Sequence, residues 1–236
     1  MTDPHSYESC RALFAQYDIQ LSQAQYEKFC IYSEMLLDES SRQNVTAVRD
    51  LPDIWIRHFL DAAYLLRFIP DHAKILDMGT GGGIPGIPLS IMQPELNICM
   101  LDSELRKIEF CQRVIKELNL SAVAISGRAE ELAHLPEYRG QYDIVVSRAM
   151  ANGSMLTELS VPFLKPDGFL LAMKGKQYDP AIERFESAAG LLGASIVYAE
   201  PYTIRDEKKH LIRVQKVSET PERFPRRFAK IKRSPL

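Results

Sequence analysis

The chain has 236 residues, of which 46% are hydrophobic and 25% charged, and its net charge at neutral pH is −2. This length and composition are typical of a globular protein with one good-sized core and a small additional unit. No apolar run approaches the length that a bilayer requires, and the N-terminal residues lack a basic-then-apolar signal pattern, so we expect a cytoplasmic protein.

Residues 1–70 are predicted to form a helical cap. The segment LSQAQYEKFCIYSEMLL begins with Ser22 and Gln25 at the spacing of a capping box, and its apolar residues recur at helical spacing. A second helix is predicted from near Pro52 to Pro70. Trp55 and Phe59 on this helix are expected in the core rather than stacked on bases.

From residue 73 onward, short apolar strands alternate with helices. Strands are predicted in AKILDMG, LNICMLD, AVAIS, YDIVVSRAM, FLLAMKG, ASIVYAEPYT and KHLIRVQKV. The fold class is therefore α/β, with a doubly wound, mostly parallel, Rossmann-like sheet of seven strands and an antiparallel hairpin at one edge. We divide the chain into a cap (1–70), a ligand-binding domain (71–217) and a basic tail (218–236).

A glycine-rich stretch, ILDMGTGGGIPGIPLSI, begins in the first predicted strand. Its five glycines are costly to order unless the backbone itself approaches a ligand, as it does in nucleotide-binding sheets of this class. Two patterns fit: G-x-G-x-x-G, typical of dinucleotide sites, at Gly81, Gly83 and Gly86, or G-x-G-x-G at Gly79, Gly81 and Gly83.

Two aspartates help to decide which ligand the glycine loop binds. Asp77 ends the first strand just before the loop, where a carboxylate disfavours a pyrophosphate and favours a ligand with positive charge. Asp102 closes the second strand, where an acid can bind both hydroxyls of an adenosine ribose. The pattern favours S-adenosylmethionine, which carries an adenosine, a sulfonium and no phosphate. A nicotinamide-dependent oxidoreductase is the alternative, weakened by the lack of a catalytic Tyr-Lys pair.

The basic charge is concentrated at the end of the sequence. The last fourteen residues, RFPRRFAKIKRSPL, hold six Lys or Arg and no acid, which leaves a net charge of −8 over residues 1–222. Two interpretations stay open: an arm that follows a phosphate backbone, with Phe224 and Phe228 stacking on bases, or a disordered, solubilising end.

The four cysteines, Cys10, Cys30, Cys99 and Cys111, form no C-x-x-C pair and have no histidine at zinc spacing. They are expected to be free thiols in a reducing compartment, and no metal is predicted.

Several motifs together resemble one family over about the whole chain. LDMGTGGGIPGIPLSI, GRAEEL, DIVVSRAMA and AMKG, with NVTAVRD and RHFLDA in the cap, are similar to bacterial methyltransferases that modify guanine N7 in 16S ribosomal RNA, also called glucose-inhibited division protein B. The tail, with FPRR and a final SPL, resembles longer Gram-positive-type members. The segment DESSRQN, which replaces an aromatic W-N-x-x-x-N run, and RFAKIKR, which replaces a Pro- and Gly-containing tail, depart from the pattern.

The resemblance implies a class I methyltransferase that uses S-adenosylmethionine and acts on 16S ribosomal RNA in the small subunit. It places cofactor-binding positions at Gly79, Ile84, Ala129, Glu130 and Arg148, beside the Asp77, Gly81, Gly83 and Asp102 predicted from the residues themselves.

The chemistry is indicated partly by what is missing. The place of an amine-methylating D/N-P-P-Y/F loop reads SRAMANG, and no cysteine nucleophile follows Cys111. Guanine N7 has an in-plane lone pair and no proton, so its attack on a methyl group needs alignment and charge stabilisation but no base. We therefore expect no dedicated acid or base, with Arg148 and Lys174 as candidates for positioning RNA or cofactor.

The predicted RNA contacts lie on the cap and the tail. His58 on its helix could equally be structural, and Lys174 could equally extend its ammonium group into solvent. The full set is Asn44, Arg57, His58, Lys174, Arg226, Arg227, Lys230, Lys232 and Arg233.

Three other functions stay open at this level. The chain could methylate another RNA or a small molecule, or it could be a non-catalytic ribosome-assembly factor that retains the cofactor pocket. The basic tail weighs against a small-molecule substrate. We expect a monomer.

Overall fold

The computed structural model describes residues 6–43 and 45–236. Asn44, predicted to contact RNA, lies outside the described residues. In the part of the chain that the structure describes, no helix is both long and apolar enough to cross a membrane.

The cap consists of helices that pack through aromatic side chains. Helix α1 is Tyr7–Ala15 and α2 is Gln23–Arg42, whose N-terminus carries the predicted capping box of Ser22 and Gln25. The second predicted helix is divided into α3 (Leu51–Ile54), a π-helical turn (Trp55–Leu60), α4 (Asp61–Tyr64) and a 3-10 turn (Leu65–Phe68).

The cap rings belong to the same hydrophobic core as one face of the sheet. Trp55 and Phe59 are buried there, as predicted, with their ring centroids 5.3 Å apart. Helices α5 (Gly86–Met92) and α6 (Leu105–Glu117) pack against the same core.

The sheet has seven strands in the order β3-β2-β1-β4-β5-β7-β6. Their bounds are β1 Lys74–Met78, β2 Asn97–Asp102, β3 Ala122–Ser126, β4 Tyr142–Arg148, β5 Leu164–Lys174, β6 Ala194–Ile204 and β7 Glu207–Lys216. Strands β1 to β5 are parallel, and β7 is antiparallel to both β5 and β6, which confirms the predicted α/β sheet with its edge hairpin.

The strand order reverses between β1 and β4, and such a switch point opens a crevice at the carboxyl ends of the strands. One detail differs from the sequence prediction: the KPDG turn lies inside β5. The pairing register shifts there and Asp167 has a φ of 63°, so the turn becomes an irregularity within the strand.

The second core covers the opposite face of the sheet. It is formed with α8 (Gly153–Ser160) and α10 (Phe185–Leu191), while the short helices α7 (Ala129–Leu132) and α9 (Pro180–Glu183) lie in the connections. The four cysteines are free thiols, as predicted.

The basic tail is ordered against this second core and ends in α11 (Phe228–Arg233). Phe224 is 4% exposed and Ile231 is fully buried, so the interpretations of a disordered end and of Phe224 as a base-stacking ring are both wrong. The apolar side chains of this basic tail thus pack it against the rest of the protein.

Arg226 is also not a free, RNA-facing cation. Its backbone and guanidinium donate hydrogen bonds of 2.9, 2.7 and 2.6 Å to the carboxylate of Glu158, which lies in α8 and is 0% exposed. A buried carboxylate needs such a partner, and this pairing explains why a single tail arginine turns inward. The other five tail cations, Arg223, Arg227, Lys230, Lys232 and Arg233, are exposed.

Replacing Arg226 should therefore unfold the protein more easily. Arg226→Ala leaves the Glu158 charge buried without its partner, and we expect the free energy of unfolding to fall by about 3–5 kcal/mol in urea titrations. Arg227→Ala, its exposed neighbour, should change it by less than about 0.5 kcal/mol. Arg226→Met with Glu158→Leu should recover much of the loss, and a double variant as unstable as Arg226→Ala would contradict the ion-pair explanation.

Candidate active site

Two cavities lie side by side at the carboxyl edge of the parallel strands. The first, which we call the glycine-loop groove, has a volume of about 460 Å³ and lies over the ends of β1, β2 and β3. The second, the cap pocket, has a volume of about 450 Å³ and lies between the cap, the ends of β4 and β5, and strand β7. Among the described residues, Ala149 is the single one that lines both, so the two cavities meet at this residue.

The glycine loop adopts a shape that other residues would resist. Gly79 and Gly81 line the groove with φ angles of 71° and 57°, in the left-handed region that favours glycine. A Cβ atom on Gly79 would also lie 2.8 Å from Cγ of Met150. The loop can therefore present its backbone to a ligand at close range.

Asp77 holds this loop from below. Its Oδ2 accepts hydrogen bonds from Thr80 Oγ1 at 2.5 Å and from the Gly86 N–H at 2.8 Å, which brackets the loop at both ends. The side chain is 0% exposed and does not line the groove. The expectation of an anionic wall is thus wrong for Asp77, which acts as a brace. Burial raises its pKa to about 6.

The cap supports the same loop from the other side. The Tyr32 hydroxyl of α2 donates to the Gly82 carbonyl at 2.6 Å, and Cys111 Sγ lies 3.6 Å from the Gly81 carbonyl oxygen. Burial raises the pKa of the Cys111 thiol well above its usual range, so this sulfur is neutral. The loop is fixed by the protein before any ligand arrives.

Asp102 lies at the groove, where β2 ends. Its Oδ2 accepts from the Gly81 N–H and its Oδ1 from the Glu104 N–H, both at 3.0 Å. These two bonds fix the plane of the carboxylate beside the cavity. The predicted contact with ribose hydroxyls agrees with this placement and stays a prediction.

The structure brings some predicted cofactor residues together and leaves others out. Gly79, Gly81, Asp102, Ala129 and Glu130 all line the groove.

Gly83 and Ile84 do not line it. Ile84 is buried in the core of the cap face, and a Cβ on Gly83 would lie 2.3 Å from Ile87 Cδ1, so this part of the loop packs inward on α5. Arg148 lines the cap pocket instead.

Arg148 and His58 connect β4 to the cap. The Arg148 guanidinium donates to the Arg57 carbonyl at 2.7 Å and to His58 Nδ1 at 3.0 Å, and His58 Nε2 lies 2.7 Å from Thr46 Oγ1. Because arginine only donates, Nδ1 is the acceptor and Nε2 carries the proton. Burial and the Arg148 charge lower the pKa of His58 to about 3.

His58 is therefore a neutral link inside the protein. It is only 4% exposed and both of its ring nitrogens have partners within the protein, which supports the structural alternative. Its ring also lines the cap pocket, and its predicted contact with RNA stays a prediction. Arg57 is half-exposed and forms ion pairs with Asp53 at 3.2 Å and Glu207 at 2.7 Å.

Asp61, Tyr202 and Lys209 complete the polar wall of the cap pocket and were missed from the sequence. The buried Asp61 carboxylate accepts from the Tyr202 hydroxyl at 2.9 Å and pairs with Lys209 Nζ at 2.8 Å. The sequence did carry a signal for a buried Asp61, because this residue lies seven positions after Ile54 and so falls on the apolar side of its helix. Its partners, on β6 and β7, carry no such signal.

Lys174 also faces the cap pocket. Its ammonium group donates to the Ala151 carbonyl at 2.7 Å and to Glu183 at 2.9 Å. The alternative of an ammonium group extended into solvent is wrong, because the lysine holds the loop 149–151 against α9. Ala149, the residue shared by the two cavities, has a left-handed φ of 53°, which is uncommon for a residue with a side chain.

Comparisons with known proteins point in one direction. The family model described as rRNA small subunit methyltransferase G matches residues 25–211. A relative named "Ribosomal RNA small subunit methyltransferase G" from Desulfitobacterium hafniense is 37% identical over 93% of this chain and 92% of its own length. One of the same name from Streptococcus equi subsp. zooepidemicus is 36% identical over 92% and 93%.

Solved structures show the likeness of fold. A SAM-dependent methyltransferase from Aquifex aeolicus superposes with a TM-score of 0.56 at 13% identity, over 77% of this chain and 98% of that one. The M. jannaschii TYW2 protein in complex with AdoMet gives a TM-score of 0.54 at 15% identity, over 66% and 75%. The chain has the fold of class I methyltransferases.

The protonation of Asp77 gives a pH-dependent prediction. The folded protein holds this proton more tightly than the unfolded chain, so the stability it contributes is present below about pH 4 and is lost as the pH rises through about 6. Asp77→Asn removes the titration. The unfolding free energy of the variant minus that of the wild type should therefore rise by about 2–3 kcal/mol between pH 4 and 7.5 in urea titrations.

Asp143→Asn is a matched control with the opposite sign. Burial acts to raise the pKa of Asp143, but hydrogen bonds from Lys165 and from the Lys74 N–H outweigh it and lower the pKa. Because this titration lies below about pH 4, the same difference should fall as the pH rises toward 4 and stay nearly constant from there to pH 7.5. A difference that does not vary with pH for Asp77→Asn would contradict the raised pKa of Asp77.

Proposed function

This chain belongs to the rRNA small subunit methyltransferase G family, and we propose that it transfers a methyl group from S-adenosylmethionine to N7 of a guanine in 16S ribosomal RNA. It is an S-adenosylmethionine-dependent methyltransferase of small-subunit ribosomal RNA, and neither an oxidoreductase nor a small-molecule enzyme is favoured. The family shows the reaction class and the RNA, and what we propose beyond it is the atom that is methylated, N7 of a guanine. Because ribosomal RNA is the substrate, we further propose that the protein acts in the cytoplasm, as a monomer.

The chemistry of the groove fits the methyl donor. Its lining holds three carboxylates, on Asp102, Glu104 and Glu130, against two cations, Lys107 and Arg128, each of which is paired with one of those carboxylates. The remaining lining is backbone, apolar side chains and Ser103. Such a surface accepts an adenosine with a cationic centre and offers nothing to neutralise a pyrophosphate. Gly79, Gly81, Asp102, Ala129 and Glu130 would hold the donor, which supplies an electrophilic methyl group when bound.

The observation that carries the proposal is the meeting of two cavities at Ala149. A transferred group must pass directly between two bound molecules, which therefore need adjacent sites with one opening. The groove suits the donor, and the cap pocket, at the end of β4 and β5, would receive the guanine. Lys174 holds the loop 149–151 through the Ala151 carbonyl, so its role would be to fix the alignment of the two sites.

The cap pocket lacks a free base among its described lining residues. The lone pair of His58 Nδ1 accepts from Arg148, and the pKa of this histidine lies near 3. Asp61 is engaged by Tyr202 and Lys209, and Glu207 by Arg57. This arrangement supports an acceptor such as guanine N7, which has no proton to lose.

The charges of the pocket support the same acceptor. Methyl transfer to N7 leaves positive charge on the guanine ring, which an unpaired cation nearby would oppose. Arg57 faces Glu207, Lys209 faces Asp61 and Lys174 faces Glu183, while Arg148 lies 3.9 Å from Asp61. We propose that Arg148 acts by positioning the cap against β4, without direct chemistry.

We propose that the exposed cations contact the phosphate backbone. These are Arg57 on the cap and, on the tail, Arg223, Arg227, Lys230, Lys232 and Arg233. Arg226 is excluded from this set because it is committed to Glu158.

The reaction can be tested with labelled S-adenosylmethionine and small ribosomal subunits from cells that lack this protein. We expect label in 16S RNA, released by digestion as N7-methylguanosine from one position. Subunits from cells that contain the protein should accept little label and serve as the control. A different modified nucleoside would overturn the N7 assignment, and no transfer to subunits or naked RNA would overturn the proposed activity.

The RNA surface can be tested by neutralising the five exposed tail cations while Arg226 is kept. We expect weaker binding to small subunits and a plot of log affinity against log salt whose slope is smaller by up to about 3.5–4.5, since each lost phosphate contact removes about 0.7–0.9. A control variant in which Lys28, Lys116 and Arg11, which line neither cavity, are replaced should keep the wild-type slope. An unchanged slope in the tail variant would show that the tail is not an RNA contact.

A further inference from the structure

The glycine-loop groove has a wall that comes from the tail. Its other lining residues lie between Met78 and Leu159, whereas one, Phe228, lies at the start of α11. An aromatic ring from a distant segment is thus placed against the same cavity as the glycine loop and Asp102. Neither the family motif in the loop nor the acids after β2 and β3 predict an aromatic ring at this place.

The position of Phe228 is fixed from both sides. Two residues before it, Arg226 is tied to the buried Glu158, and three residues after it, Ile231 is fully buried in the second core. The Pro225 carbonyl also lies 2.9 Å from His134 Nε2. With both flanks anchored, the ring is held at the groove before any ligand is present.

The ring faces the residues that follow β3. The Arg128 guanidinium carbon lies 4.7 Å from the Phe228 ring centroid, and Arg128 Nε donates to Glu130, which itself lines the groove. Ala129 and Glu130 follow β3 at the groove, where the edge of an adenine would need polar partners, and we assign them to the adenine end of the donor. Phe228 is therefore at that end, away from Ala149, where the methyl group must pass.

We propose that Phe228 is a cofactor-binding residue: it forms the aromatic wall for the adenine ring, so that the affinity for S-adenosylmethionine depends on the docked tail. The inference rests on the proposed function of the groove. Purine rings bind well against aromatic faces, and loss of one such contact weakens binding of a base by roughly ten-fold or more.

The test is the affinity of the full chain for S-adenosylhomocysteine, measured by titration calorimetry. Phe228→Ala should weaken binding about ten-fold, Phe228→Tyr should retain wild-type affinity, and Phe228→Leu, which keeps apolar bulk but no ring, should resemble Phe228→Ala. Ala229→Ser, an exposed change on the same helix, should have no effect. Thermal unfolding of each variant shows whether the tail and the fold are intact.

A second ligand locates the contact. 5′-Methylthioadenosine keeps the adenosine but lacks the amino-acid end, so Phe228→Ala should weaken its binding by the same factor. A loss seen for S-adenosylhomocysteine alone would overturn the placement at the adenine end. Recovery by leucine would show that Phe228 only packs the tail.

The two proposals fail in different ways. If the folded wild type does not bind S-adenosylhomocysteine, the groove is not the donor site and the proposed function fails. If the wild type binds it and Phe228→Ala binds it equally well, only the role of Phe228 fails.

Discussion

The buried carboxylate of Asp77 accepts hydrogen bonds from Thr80 and from the Gly86 N–H, and the shape of the site depends on this bracket. With the loop closed over Asp77, Gly81 donates to Asp102 and orients it at the groove. Tyr32 of the cap reaches the same loop through the Gly82 carbonyl. The groove that we propose for the donor is thus preorganised by atoms that lie outside it, which limits the ordering that binding must supply.

The cap pocket is organised by a second network, in which every charge has a partner. Asp61 joins the cap to the edge hairpin through Tyr202 and Lys209, and His58 joins it to β4 through Arg148. Buried polar groups that satisfy one another in this way specify a single arrangement of the elements. The cap is therefore a wall of the pocket that we propose for the guanine, and behind that wall its aromatic rings pack into the core.

Periodicity and local motifs predicted the strands, the edge hairpin, the glycine loop and the acid after β2, because each is encoded within a few neighbouring residues. The errors arose where a side chain meets a distant partner. The sequence places Asp77 at the loop but does not say on which side of it the carboxylate lies. Arg226 belongs to a run of cations and nothing near it reveals Glu158. Ala149 carries no sequence signal for its left-handed backbone.

Because the tail packs on the rest of the fold, the groove is incomplete until the tail has been synthesised. Residues 78–159, which hold the other lining residues of the groove, are synthesised before the tail, and Glu158 stays without its cation until Arg226 has been made. The same segment supplies Phe228, the wall that we propose for the adenine ring. A chain without this segment would carry the loop and the acids but neither Phe228 nor the partner of Glu158, so that the stability of the fold and the proposed binding of the methyl donor depend on the same residues.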